Sequence, residues 1–240
     1  MASRSSKPAL GTRGQPERTR AAILQAAMRE FAQEGIAGAR IDAIAQAARV
    51  NKALLYYYFK DKETLYGAVL DEVFGGLIQR VLPALESNLP PRQKILSYVQ
   101  THFDYVASSP LYPRLVQGEW MRAGRSRSSQ VKRIAERYFR PLFAKLGQVL
   151  AEGVAAGEFR PVDPRQFVPS MIAVIVFYFV SLPVIRQMVP GDPLSPERIA
   201  ARRAAVQEFI SAALLAKPVD AGVSGGPGPA DGSVRQEISS

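Results

Sequence analysis

The run Asn51-Lys52-Ala53-Leu54-Leu55-Tyr56-Tyr57-Tyr58-Phe59 concentrates side chains able to read a nucleic acid. A carboxamide such as Asn51 can pair with adenine and an ammonium such as Lys52 with guanine. The methyl of Ala53 can touch that of thymine. At helical spacing Leu55 and Phe59 share one side, expected to be buried, and Asn51, Lys52, Ala53 and Tyr57 are expected to be offered outward. Tyr56, Tyr58 and Lys62 offer hydroxyls and an ammonium to phosphates. The competing reading is packing, because three tyrosines at helical spacing also fill half-buried surface. Lys60 and Lys62, taken alone, read as solvated charges.

Other chemistries lack their residues. With no cysteine there is no disulfide framework, thiolate metal site or cysteine nucleophile. The single histidine, His102, cannot form an imidazole metal cluster. No G-x-S-x-G elbow accompanies it. No catalytic residues, metal or cofactor are therefore expected. The net charge of +10 over 240 residues favours polyanionic partners, either nucleic acid or an anionic membrane surface. Residues 1–20 contain no apolar core of signal-peptide length, so a protein that is not secreted is expected.

The elements that position these side chains read as helices throughout. Residues 1–16 form a basic disordered arm and 217–240 a Gly/Pro/Ser-rich disordered tail. Within 17–34, Ile23, Leu24, Ala27, Met28 and Phe31 share one helical face, and Gly35 stops the helix. Ile41, Ile44, Ala45 and Ala48 give a second, short helix, and Lys52 to Phe59 a third. Asp61 caps a fourth through Thr64, ending at Pro83. Further helices are expected near 93–107, 111–122, 130–156, 163–188 and 196–216. The last carries the apolar stripe Val206, Phe209, Ile210, Ala213, Leu214. Two short helices behind a longer one are the layout of a helix-turn-helix, whose final helix enters the major groove.

Residues 19–68 resemble the N-terminal domain of the TetR/AcrR family of transcriptional regulators. The matching signals begin with Ile-x-x-Ala-Ala-x-x-x-Phe from Ile23, then Gly35 and Ile44-Ala45. They continue with Val50-Asn51-Lys52, Leu55-Tyr56-Tyr57-Tyr58-Phe59 and Lys62-Glu63-x-Leu65. Gly157-Glu158-Phe159-Arg160 and the paired final helices look like the family's regulatory domain. The resemblance implies an all-α, bacterial, cytoplasmic homodimer that binds a palindromic operator in double-stranded DNA, usually as a repressor. A small inducer in the C-terminal domain would release it. It implies a DNA-binding domain over 17–77 and a ligand-binding and dimerisation domain over 78–216. The base-facing residues would be Asn51, Lys52, Ala53 and Tyr57, and the phosphate-facing ones Tyr56, Tyr58 and Lys62. Two positions depart from the pattern. Arg49 stands where glycine is usual, which is strained if the turn needs positive φ. Arg40 stands where Thr or Ser usually caps the second helix.

Three features lie outside the reader. Phe167 to Ile185 is uncharged over 19 residues, long enough for a membrane span. The alternative, favoured by the resemblance, is a buried helix of a dimer formed through about 163–188 and 196–216, with no membrane partner. Eight basic residues and one acid fall within 122–145. They read either as a solvated face with a mobile loop or as an attractor of anions. His102, Phe103, Tyr112, Trp120 and Tyr178 are the candidates for a ligand pocket, each equally consistent with core packing. The rival functions are a membrane-anchored basic protein and, further off, a small-molecule enzyme.

Overall fold

The computed structural model describes residues 16–123 and 129–215. The expected tail, residues 1–15 of the expected arm, and Arg125 and Arg127 lie outside the described residues. Eleven α-helices and one π-turn make up the described residues, with a single antiparallel bridge between Phe159 and Leu215. The fold is all-α.

The reader comprises α1 (Pro16–Gly38), α2 (Ile41–Ala47) and α3 (Lys52–Tyr58). Helical geometry breaks at Gly35, whose φ of 63° suits glycine, and one more turn follows to Gly38. Ile23, Leu24, Ala27 and Phe31 of α1 close over Ile44 and Ala45 of α2 and over Leu55 and Phe59, all buried. The α4 helix (Lys62–Glu86) starts where the Asp61 carboxylate accepts the Thr64 N–H at 2.7 Å. That hydrogen bond holds the Asp61 pKa below its ordinary value. The helix does not end at Pro83. A proline this near the C-terminus removes only the bond to the Gln79 carbonyl, and buried Val81 and Leu85 anchor the last turn. Residue 77, the expected domain boundary, lies within this unbroken helix.

Helix α5 (Pro91–Ser108) is the axis of the second body, packed against α4, α8, α9 and α11. Around it stand α6 (Tyr112–Ala123), α7 (Ser129–Ile134), a π-turn (Ala135–Phe139), α8 (Arg140–Ala155), α9 (Pro164–Val180), α10 (Leu182–Met188) and α11 (Pro196–Leu214). The expected helix over 130–156 is interrupted by the π-turn. Pro141 has no N–H for the Arg137 carbonyl, and Arg140 N–H donates five residues back, to Ala135. The expected helix over 163–188 breaks at Ser181, and its halves meet at a 65° bend. Pro183 cannot donate to the Phe179 carbonyl, so the ladder fails there. Among the described residues no single helix is long and apolar enough to cross a membrane.

The segment Gly157-Glu158-Phe159-Arg160 staples the body together. Gly157 ends α8 at φ 71° while Glu158 N–H reaches back to Gly153. The Glu158 carboxylate accepts the N–H of Arg92 at the start of α5. Arg160 N–H donates to Leu214 of α11. A Cβ on Gly153 would lie 2.0 Å from the Phe159 ring, so glycine is required by this close approach.

Candidate nucleic-acid interface

Helix α3 is held by its own ends. The Asn51 side-chain oxygen accepts Leu54 N–H at 2.7 Å, and Phe59 N–H bonds Leu55 at the other end. Leu55 and Phe59 face inward and are buried. Asn51, Lys52, Ala53, Tyr56 and Tyr57 are exposed, with Tyr57 at 81%. Tyr57 and Tyr58 meet edge-on at 5.4 Å, and Tyr58 is half-buried against the core.

Three of the expected contact residues have additional duties. Asn51 is the N-cap of α3, so its carboxamide oxygen is engaged and its amide hydrogens are what it presents outward. The Lys52 ammonium lies 3.0 Å from Asp42 of α2. Its hydrogen bond to that carboxylate, and the carboxylate's charge, raise its pKa. Lys62 points its ammonium at the Ala39 and Ala37 carbonyls, 3.2 and 3.4 Å away, where α1 ends.

The turn between α2 and α3 follows a Schellman pattern. Arg49 N–H bonds Gln46 and Val50 N–H bonds Ala45, with Arg49 at φ 56°. The position does require positive φ, so Arg49 carries the strain that the sequence made conditional. Left-handed backbone costs a non-glycine residue about 1–2 kcal/mol. Glycine offsets roughly 0.5–1 kcal/mol of that gain through its freer unfolded chain. The net gain is about 0–1.5 kcal/mol, so the Arg49→Gly chain is expected to melt up to about 6 °C higher. Calorimetry checks this, and a lower melting temperature contradicts the strain. At the start of α2, Arg40 provides no side-chain cap, as expected, and its own N–H is taken by Glu30 of α1 at 3.0 Å.

Two clamps tie α4 to the regulatory helices. In the first, Arg133 of α7 grips Asp71 at 2.6 and 2.7 Å and donates to the Gly67 carbonyl at 2.9 Å. The Tyr138 hydroxyl donates to the same Asp71 at 2.8 Å. In the second, Arg122 of α6 donates to Glu63 at 3.2 Å, and its guanidinium lies over the Tyr66 ring. Burial, and the Glu119 carboxylate bonded to its hydroxyl, push the Tyr66 pKa strongly up. The basic stretch 122–145 is thus not simply a solvated face. Arg122, Arg133 and Arg137 are spent on carboxylates of α4.

The five ligand candidates do not share one cavity. Trp120 lines a cavity of about 430 Å³ between α6, the π-turn with α8, and α9. Phe139 and Phe143 form one wall, and Pro169, Ile172, Val176 and Phe177 another. His102 is buried elsewhere with Nδ1 3.1 Å from the Tyr98 hydroxyl. Burial lowers its pKa to about 4, so the ring is neutral at pH 7. Phe103 packs on Phe179 at 5.3 Å. Tyr112 is wedged between Phe74 and Tyr105. The Tyr178 hydroxyl donates to Pro193 at 2.7 Å.

Comparison with known proteins gives this geometry its family. Residues 23–69 match the family model of bacterial regulatory proteins of the tetR family. Residues 91–210, half the chain, match that of the tetracyclin repressor-like C-terminal domain. The chain belongs to the TetR family. It is 31% identical over 176 residues to the HTH-type transcriptional repressor SCO4008 of Streptomyces coelicolor, covering 73% of this chain and 85% of that one. It is 29% identical over 168 residues to the HTH-type transcriptional repressor NicS of Pseudomonas putida, covering 70% and 78%. The TetR family transcriptional regulator PfmR from Thermus thermophilus shares the fold, with TM-score 0.61 and 24% identity over 79% of this chain and 97% of that one. As a TetR-family member the protein is a DNA-binding transcriptional regulator built on a helix-turn-helix.

Sequence reasoning missed several residues that matter to this TetR-type layout. Asp42 holds Lys52, and Glu30 holds the start of α2. Asp71 joins α4 to residues more than sixty positions away. None of these pairings has a local sequence signature. Only the 71-to-133 charge complementarity was there to be read, and it is one of many.

Proposed function

We propose that this chain acts in the cytoplasm as a homodimeric repressor that holds a palindromic operator and is released by a small molecule. The observation that supports it most is the outward face of α3, where Lys52, Ala53 and Tyr57 stand exposed on a helix pinned from behind by Leu55 and Phe59. In this reading those three, with the Asn51 amide hydrogens, meet base edges. Tyr56, Tyr58 and Lys62 lie toward phosphates, joined by exposed Arg40 and Arg49.

A dimer is supported by apolar side chains left outside. Phe177 of α9 is 68% exposed and Phe209 of α11 is 60% exposed, although Phe209 belongs to that helix's apolar stripe. Ala173, Ala201, Ala204 and Ala205 beside them are small, which lets helices approach closely. For both readers of such a two-fold pair to meet successive major grooves, they must stand about 34–36 Å apart, one helical turn of DNA.

Release follows from the clamps. Trp120 in the cavity wall is the neighbour of Glu119, and Phe139 is the neighbour of Tyr138. A ligand that displaces the wall disturbs both contacts to α4, and α4 carries the reader. Its effect is limited to its differential affinity for the two states. Sedimentation of the full chain is expected to give twice the 26.2 kDa chain mass. With a bound operator duplex, an even number of chains is expected. A monomer at every concentration, or one chain per duplex, contradicts the dimer.

A further inference from the structure

The cavity beside Trp120 allows the ligand's chemical class to be named, and this step rests on the ligand-release reading above. Every side chain in the wall is apolar. Among the described residues that line it, the indole N–H of Trp120 is the only side-chain hydrogen-bond donor, and none offers a side-chain acceptor or charge. The volume of about 430 Å³ falls within the range of small-molecule sites, about 300–1,000 Å³. Four aromatic rings come from three different stretches of chain: Trp120 from α6, Phe139 and Phe143 from the π-turn and α8, and Phe177 from α9. The π-turn is itself a departure that tends to occur at functional sites. Here it sets Phe139 in the wall while adjacent Tyr138 holds Asp71.

We propose that this cavity receives an uncharged, ring-containing apolar molecule and rejects charged molecules of the same skeleton. Rings entering the site lose apolar surface to water and meet aromatic faces and edges. An ion entering the same site gives up its hydration and finds no counter-charge. The ligand therefore carries at most one or two acceptors, with Trp120 as the side-chain donor available to them. Phe177 lines the cavity and is 68% exposed, so a dimer formed through α9 would bring the second copy beside the opening.

The chain has one tryptophan, so its emission reports this wall alone. The test uses the full chain and two probes of one skeleton: neutral phenylnaphthylamine and its sulfonated relative, anilinonaphthalenesulfonate. The neutral probe is expected to quench Trp120 saturably, at one molecule per chain. The sulfonate is expected to bind at least about tenfold more weakly. Val176→Phe, which fills the cavity, is expected to abolish quenching while circular dichroism confirms the helices. Equal or tighter binding of the sulfonate overturns the proposal. So does absence of quenching by the neutral probe, or full quenching in a folded Val176→Phe chain. Duplex affinity is measured in parallel. Quenching that leaves it unchanged keeps the ligand class and overturns ligand release, so the two failures are distinct.

Discussion

The Lys52→Ala, Tyr57→Ala double variant is expected to lose about a hundredfold or more in affinity for its operator while keeping its fold. A well-made contact to a base edge is worth about 1–3 kcal/mol of discrimination. Both side chains are exposed, and Tyr57 is the most exposed of the large apolar residues among those described. Their removal leaves no hole in the core. The Lys52–Asp42 pair is solvent-exposed and contributes little to stability, so melting is expected to stay near wild type. Binding to unrelated duplex, carried by the other basic residues, is expected to persist with nearly the same salt slope. Competition binding against specific and scrambled duplexes, with a melting curve beside it, measures all three quantities. Equal losses on both duplexes would place these residues in nonspecific contact instead.

The Leu55→Ala variant acts through the opposite side of the same helix. Leu55 is fully buried beneath a helix of seven residues. Truncating a buried leucine costs about 2–5 kcal/mol, from lost transfer energy and the cavity left behind. The three-helix reader has few other large side chains under α3, chiefly Phe59 and Ile44. The denaturation midpoint is expected to fall markedly, and specific and nonspecific binding to fail together. This separates a chemical loss from a positional one within one turn of helix. A Leu55→Ala chain that unfolds with the wild type contradicts the packing role.

The reader was largely legible in the sequence because its signals are local. Asp61 and Thr64 cap α4 three residues apart, and Leu55 and Phe59 lie one turn apart. Such spacings survive folding unchanged. The regulatory body was less legible. Pro83 was read as a terminator yet sits inside α4, whereas Pro141 and Pro183 were read through and accompany a π-turn and a bend. A missing N–H removes one hydrogen bond, and the packing of neighbouring residues decides whether the helix continues. Periodicity marks which face is apolar but not what covers it. That is why Phe209 could share a stripe with buried Val206, Ile210 and Leu214 and still face outward. The cavity was missed for the same reason. Of the residues chosen for it from sequence only Trp120 lines it, and Phe139, Phe143 and Val176 become a wall only once three helices meet.

The most direct measurement is selection of duplexes bound by the full chain from a random library, repeated with the Lys52→Ala, Tyr57→Ala chain. The wild type is expected to enrich one inverted repeat, with half-sites set by the two readers of a dimer, and the double variant to lose it. Recovery of no motif, or of the same motif by both chains, contradicts α3 as the reader of a palindromic operator.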